Sequence, residues 1–453
     1  MKKLTIIPLF LGGILFSQQK QDSIVFRKIA FEVLNHSTAY DNLRSLTKDI
    51  GARLSGSQAY EKAVDWSVAK MKEAGADKVW KQEVMVPVWK RGAESLQIRS
   101  KGGQWKSINM LSLGNSEGTN GKDLVGDVIV VKSYSEFEKL PDSAVKGKIV
   151  LFNYPFKQEL ISMSDAYGDA SSYRSKSASI VAKKGGKAVI VRSLSSTYDE
   201  HPHTGSMRYE PNTEKIPAVA VGTKTADEME NLIQKGGLEI KLNSNCGMQP
   251  DTKSYNVIAE ITGKVNPKNI IIAAGHLDSW DVGEGAHDDG TGIVQSIEVL
   301  RAFKKLGIEN KNTIRIISYA NEENGVRGGN SYLDYAKAAD EKHLFAIESD
   351  AGGFTPRGFS LDMPEVERKK IQAWRELFKP YQLHDFENTW GGVDINPLKA
   401  LKVPLAGLVP DSQRYFDLHH SALDTFEQVN KRELLLGAMA MTQLIYMIDT
   451  NWK

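Results

Sequence analysis

Cysteine is almost absent: Cys246 stands alone in a chain of 453 residues. No intrachain disulfide can form, and no zinc site can be built from thiolates. Cys246 lies in the polar run NSNCGMQPD, where an isolated thiol at a domain junction is favoured over a nucleophile. Charge of one sign is also missing. The formal net charge is +2, from 58 Lys and Arg against 56 Asp and Glu, which argues against a dedicated nucleic-acid binder. Long hydrophobic runs are lacking as well, since no segment approaches the roughly 20 apolar residues of a membrane-spanning helix. The apolar run Leu4 to Phe16 is too short for that. It follows Lys2 and Lys3, precedes Ser17 and the polar stretch Gln18 to Asp22, and reads as a secretory signal over residues 1–17. An uncleaved N-terminal anchor is the alternative, disfavoured by Pro8, Gly12 and Gly13. The expected product is exported, secreted or periplasmic, with no stable membrane insertion. No lipobox cysteine follows the signal.

What is present is a soluble composition, 41% hydrophobic and 25% charged, in a chain long enough for more than one domain. Ser57 can cap a helix whose Tyr60, Val64, Val68 and Met71 recur at helical spacing, with Gly75 ending it. A strand-like alternation follows over Lys81 to Val86. From about Gly118 to Asn243 short β-rich runs dominate: GDVIVV from Gly126, GKIVLFN from Gly147, KAVIVR from Lys187 and IPAVAVG from Ile216. They read as a module of their own, and the Ser-rich stretch Ala170 to Ser179 within it reads as a mobile surface loop. From Tyr255 onward strands alternate with helices. Strands are expected at Asn256–Ile261, Asn269–Ala274, Thr313–Tyr319, Leu344–Asp350 and Pro404–Val409, as in a mostly parallel sheet wrapped by helices. A final helix starts near Asn430, with Glu433 placed for a capping box. Its Met439, Met441 and Met447 read as core.

Several of these strands end in metal-ligand or polar side chains. His276 and Asp278 follow the first Ile-rich run, inside GHLDSWDVGEGAHDDGTG, which also holds Asp288. Glu322 and Glu323 follow Tyr319, Asp350 ends the next strand, and Asp411 follows Val409. The loop DSQRYFDLHHSALDT then carries His419 and His420. Ligands in open α/β sheets bind outside the carboxyl ends of strands, and a rim that collects histidines with several carboxylates suits paired zinc ions better than magnesium or copper.

These motifs in combination resemble the co-catalytic zinc exopeptidases, which include bacterial leucyl aminopeptidases and glutamate carboxypeptidases, most closely the carboxypeptidase Q group. The resemblance covers nearly all of the mature chain. It implies an α/β fold, a mixed and mostly parallel sheet sandwiched by helices, with an inserted β-rich protease-associated domain. The implied organisation is 18–117 as the first part of the catalytic domain, 118–243 as the insert and 244–453 as the main catalytic part. It also implies two zinc ions per chain: His276 and Asp350 on one, Glu323 and His420 on the other, and Asp288 bridging. The charges of two zinc ions, three carboxylates and a shared hydroxide then cancel. His420 is taken as the ligand because His420, Ser421, Asp424 and Thr425 match the family spacing. Asp278 is placed to orient His276 through its other ring nitrogen, and the Asp288–Asp289 peptide bond is expected to be cis, with Asp289 behind the ligands. Glu322 is assigned as general base.

The chain departs from the glutamate carboxypeptidases in having His419 where they carry an oxyanion-steadying tyrosine. His419 is weighed as electrophilic donor against a packing histidine, and His287 is the one competing ligand. For substrate, Arg414 is the candidate cation for a terminal carboxylate, or it pairs with Asp411 or Asp417. Trp280 and Trp390 are candidate walls of a side-chain pocket, and Asp394 holds an amino terminus or supports its loop. The expected activity is hydrolysis of dipeptides or short peptides as a carboxypeptidase or dipeptidase. An aminopeptidase is the alternative within the class. Outside it stand a receptor-like ectodomain that has lost its metals and a single-zinc glutaminyl cyclase. Small peptides are the expected partners, and a homodimer is allowed for.

Overall fold

The computed structural model describes the backbone of residues 8–452 and the side chains of residues 20–452. The expected signal, residues 1–17, therefore lies outside the residues described with side chains. After an N-terminal helix, Pro8–His36, the helix Gln58–Glu73 begins where expected, because the Ser57 hydroxyl accepts the Tyr60 amide at 3.1 Å. Strand β1 (Lys78–Lys90) then leaves the first layer for a second sheet built from β2 (Glu94–Ser100), β3 (Lys106–Ile108), β4 (Leu111–Ser112), β5 (Leu124–Val131), β6 (Ile149–Phe152), β7 (Ala188–Arg192), β8 (Ala218–Val221) and β9 (Leu238–Ser244). The order across it is β3-β2-β9-β5-β6-β7-β8-β4. The apolar runs seen in the sequence are β5 to β8, which pair in parallel, while β2, β3, β4 and β9 join by antiparallel pairing. The second sheet thus starts at Glu94, upstream of the expected boundary at 118, because β2 pairs along its whole length with β9.

The main sheet continues with β10 (Gly247–Ile261), β11 (Asn266–His276), β12 (Asn312–Tyr319), β13 (Lys342–Glu348), β14 (Pro356–Asp362) and β15 (Leu405–Pro410), in the order β1-β10-β12-β11-β13-β15-β14. Only the central β12, β11, β13 and β15 run parallel; β1, β10 and β14 add antiparallel flanks, so the sheet is mixed rather than mostly parallel. Every residue of β12 is buried, as a strand covered on both faces requires. One face packs on Phe26, Ile293, Ile297, Leu300, Leu444 and Met447 from the helices Pro8–His36, Thr291–Leu306 and Lys431–Asn451; the other packs on Tyr332 and Ala336. Met439 and Met441 belong to the same core. The last helix is capped by Asn430, whose side chain accepts the amides of Arg432 and Glu433. The Glu433 carboxylate is taken by the Thr355 hydroxyl at 2.5 Å, a tertiary contact in place of the expected capping box. Among the described residues no helix is long and apolar enough to cross a membrane.

The stretch Ala170 to Ser179 is not a loop. It forms the end of one helix, Met163–Ser175, and the start of another, Ser177–Lys183. Ser162 caps the first by accepting the Asp165 amide, and Ala166, Ala170, Tyr173 and Arg174 fall on its buried side. The serines mark tight packing here, with Ser177 and Ser179 fully buried.

Candidate metal centre

The parallel strands β11 and β12 end level with each other, His276 opposite Tyr319, and the Leu277 amide donates to the Tyr319 carbonyl at 2.7 Å. This sets His276 beside the turn carrying Glu322 and Glu323. β13 stops at Glu348, two residues before Asp350. Asp288 enters from the loop after β11, and its peptide bond to Asp289 is cis. The approach is so close that a Cβ on Gly292 would lie 1.9 Å from the Ser349 carbonyl, so glycine is required there. His420 arrives after β15 with φ of 61°, a left-handed conformation uncommon for a side-chain-bearing residue.

The five expected ligands converge. His276 Nε2 lies 3.1 Å from Asp288 Oδ1 and 3.3 Å from Asp350 Oδ1. His420 Nε2 lies 3.2 Å from Asp288 Oδ2 and 3.1 Å from Glu323 Oε2. Two triads therefore share one carboxylate, one oxygen each. Zinc bonds of about 2.0–2.1 Å in a tetrahedron separate the ligand atoms by roughly 3.3 Å, which is the spacing found. The buried His276 Nε2 and Asp288 Oδ2 have no hydrogen-bond partner among the described residues. Burial and mutual repulsion both weigh on the carboxylates of the site. Burial lowers the pKa of His276, yet Asp350 and Asp288 more than offset this and hold the imidazole well above its usual range. Burial, and next Asp288, push Glu323 well above the usual carboxylate range. The donor set fits a pair of zinc ions.

The residues behind the ligands differ from expectation in one respect. His276 Nδ1 is held by the main-chain carbonyl of Asp278 at 3.0 Å, while the Asp278 carboxylate stands 3.8 Å away. That carboxylate instead accepts the amides of Glu322, at 3.1 Å, and Glu323, at 3.3 Å, and so fixes the turn that presents both glutamates. Asp289 accepts the His276 and Gly292 amides. Asp424 accepts the amides of His287 and Asp288, and burial raises it to about 7. His287 is engaged away from the candidate ligands: its Nδ1 accepts the Gly353 amide and its ring stacks on Phe354 at 4.3 Å.

A cavity of about 1880 Å³ opens over the centre, lined by Asp288, Glu322, Glu323, Asp350, His419 and His420 among others. The Glu322 carboxylate faces it with no hydrogen bond or ion pair to any described residue, and burial raises it well above the usual range. His419 stacks on His420 with centroids 3.5 Å apart, and its Nε2 lies 3.7 Å from Asp288 Oδ2, a longer reach than the ligands make. Trp390 lines the cavity and is 41% exposed.

Three expected substrate residues stand elsewhere. Trp280 is buried behind the centre, edge-on to Trp89 and His420, and its amide donates to Glu323 Oε1 at 3.2 Å. It supports the candidate ligand Glu323 and is not part of the cavity lining. Asp394 is fully buried, outside the cavity lining, with both carboxylate oxygens unpartnered among the described residues. Arg414 is exposed, sits over the Phe354 ring at 5.9 Å and is not part of the lining. Nor does it pair with its neighbours: Asp411 bonds Arg357, and Asp417 accepts the Ser196 hydroxyl.

Two arginines escaped the sequence reading. Arg174 is 8% exposed and lines the cavity, with one terminal nitrogen 3.5 Å from His420 Nδ1 and the other donating to Tyr167 Oη at 2.6 Å. No carboxylate pairs with it among the described residues, and its Nε lacks a partner. Arg53 is fully buried and donates to the carbonyls of Leu277 at 2.6 Å, Glu284 at 2.8 Å and Gly285 at 2.9 Å, holding the loop that delivers Asp288.

The family model for peptidase family M28 matches residues 256–445. Carboxypeptidase Q of Homo sapiens is 33% identical over 411 residues, which cover 90% of this chain and 85% of the relative. Carboxypeptidase Q of Bos taurus is 31% identical over 441 residues, covering 96% and 91%. Among solved structures, a peptidase M28 precursor from Shewanella amazonensis SB2B superposes with a TM-score of 0.90 at 30% identity, covering 96% of this chain and 98% of that one. A zinc aminopeptidase from Bacillus subtilis shares the fold, with a TM-score of 0.65 at 20% identity over 93% of this chain and 97% of that one. The chain belongs to peptidase family M28 and is a metallo-exopeptidase.

Proposed function

We propose that the chain is a two-zinc carboxypeptidase or dipeptidase that reads the free carboxylate of short peptides. The observation that carries this reading is Arg174, a buried guanidinium with no counter-ion among the described residues, lining the cavity beside His420. An unpaired buried charge is costly, and an anion that enters the cavity relieves it. Arg174 replaces Arg414 as the carboxylate partner.

His276, Asp288 and Asp350 would hold one zinc, and Asp288, Glu323 and His420 the other. When bound, the pair would supply Lewis acidity to the scissile carbonyl and to the attacking water. Glu322, free of partners at the cavity wall, takes the proton of the attacking water and passes it to the leaving amine. His419, pressed on His420 and kept neutral by burial, offers its ring N–H toward the developing oxyanion. Asp278 keeps Glu322 in place through the backbone. Trp390 flanks a substrate side chain. The second sheet is read as a protease-associated insert, and residues 1–17 as an export signal that sends the enzyme to the periplasm or outside.

The reading is tested with one dipeptide and one tripeptide offered free, N-acetylated and C-amidated. C-amidation is expected to abolish cleavage, and indifference to it would favour an aminopeptidase instead. Arg174→Ala should lower kcat/KM for the free acid by about ten- to a hundredfold and narrow the preference for acid over amide.

A further inference from the structure

The second sheet does more than cover the cavity. The segment His203 to Gly205, between β7 and β8, lies against the histidine pair as a short extended clamp. His203 Nδ1 sits 2.6 Å from the His419 carbonyl, and the Thr204 amide donates to the His420 carbonyl at 2.9 Å. The return contact comes from the ligand ring, whose Nδ1 lies 3.4 Å from the Thr204 carbonyl. Both successive carbonyls of the pair are thus pinned, and the ring is turned so that Nε2 faces Asp288 and Glu323.

The clamp is itself anchored in the second sheet. The His203 amide donates to Ser193 Oγ at 2.8 Å, and Thr204 Oγ1 donates to the Ser112 carbonyl at 2.9 Å. The Gly114 amide donates to the Gly205 carbonyl at 2.9 Å. His203 and Thr204 are 2% and 1% exposed. Gly205 has φ of 130°, and a Cβ there would lie 2.5 Å from the Arg174 guanidinium and 2.7 Å from His420 Nδ1, so glycine is favoured at this position. Because a carbonyl can only accept, His203 carries its proton on Nδ1. Burial holds the ring neutral, lowering it to about 4.

We propose that His203 is a positioning residue for the metal site of Glu323 and His420, so that the second sheet is a structural part of that site. A left-handed residue such as His420 persists only where its surroundings enforce it, and the clamp supplies that restraint from residues outside the region the family model matches. The inference rests on the reading of His420 as a ligand.

The test measures zinc affinity of the full chain by titrating metal-free protein against a chromophoric chelator, with thermal unfolding followed in parallel. His420→Ala should remove one of the two sites. His203→Leu should weaken that same site about ten- to a hundredfold and leave the other unchanged. His203→Asn, whose amide nitrogen replaces Nδ1, should restore it. In the metal-free protein His203→Leu should also speed amide exchange at Thr204. Full zinc binding by His420→Ala would overturn the ligand reading and the inference with it. Loss of a site in His420→Ala but normal affinities in His203→Leu would overturn the inference alone. So would equal weakening of both sites, or failure of His203→Asn to rescue.

Discussion

At the residue scale, Glu322 and Glu323 are neighbours in sequence with opposite surroundings. Glu323 is gripped by the Trp280 amide and faces His420, while Glu322 stands free at the cavity wall. Glu322→Gln should therefore keep both metals, by elemental analysis, while losing roughly a hundredfold or more in turnover. Near-wild-type kcat in that variant would remove Glu322 from the reaction. Of the five converging candidate ligands, His276, Glu323 and Asp350 were legible because each ends or closely follows an apolar strand, whereas Asp288 and His420 lie in longer loops and were read through the family resemblance. Asp278 was legible only as a position: its spacing from His276 says nothing of whether carbonyl or carboxylate reaches the ring. Arg174 was hidden because serine-rich composition suggested a loop, while Ala166, Ala170 and Tyr173 were spacing a helix. Arg414 looked closer to the site along the chain than it is in space.

At the scale of single elements, the second residue of β13 is a histidine whose burial has a pH signature. His343 accepts the Tyr332 hydroxyl at 2.9 Å, and burial, aided by Arg315, lowers it to about 4 from 6.5. The unfolded chain binds this proton first. The contribution is therefore complete above pH 6.5 and is lost as pH falls toward 4, reaching about 2 kcal/mol by pH 5. Denaturant unfolding at pH 7 and pH 5 should show this loss, and His343→Gln should reduce it. An unchanged pH slope in the variant would show that His343 is not the source of the loss. Elements with strong apolar signals, β5 to β8 and β10 to β13, were foreseen. β2, β3 and β14 were not: β2 and β3 are partly or largely exposed, and β14, though mostly buried, has only Pro356, Phe359 and Leu361 as apolar side chains in PRGFSLD.

At the scale of the molecule, the candidate ligands come from the ends of β11 and β13, the turn after β12 and the loop after β15, so bound metal would tie these segments together. Without metal, the buried carboxylates of Asp288, Asp350 and Glu323 would have only His276 and His420 between them. At a thousandfold excess of zinc over Kd, each site should add about 4 kcal/mol to unfolding stability. Chelation should lower the unfolding midpoint and zinc should restore it; a midpoint blind to both would mean that the centre holds no structural metal.

Arg53 sets the limit on how this enzyme can be divided. It lies far upstream of residues 256–445, yet its guanidinium closes three carbonyls of the loop that carries Asp288 toward the centre. A fragment begun at residue 244 would keep every candidate ligand and still leave that loop without its buttress. The smallest transplantable catalytic unit therefore extends back past Gly51, and a fusion or domain swap cut at the family boundary would inherit the ligands without their scaffold.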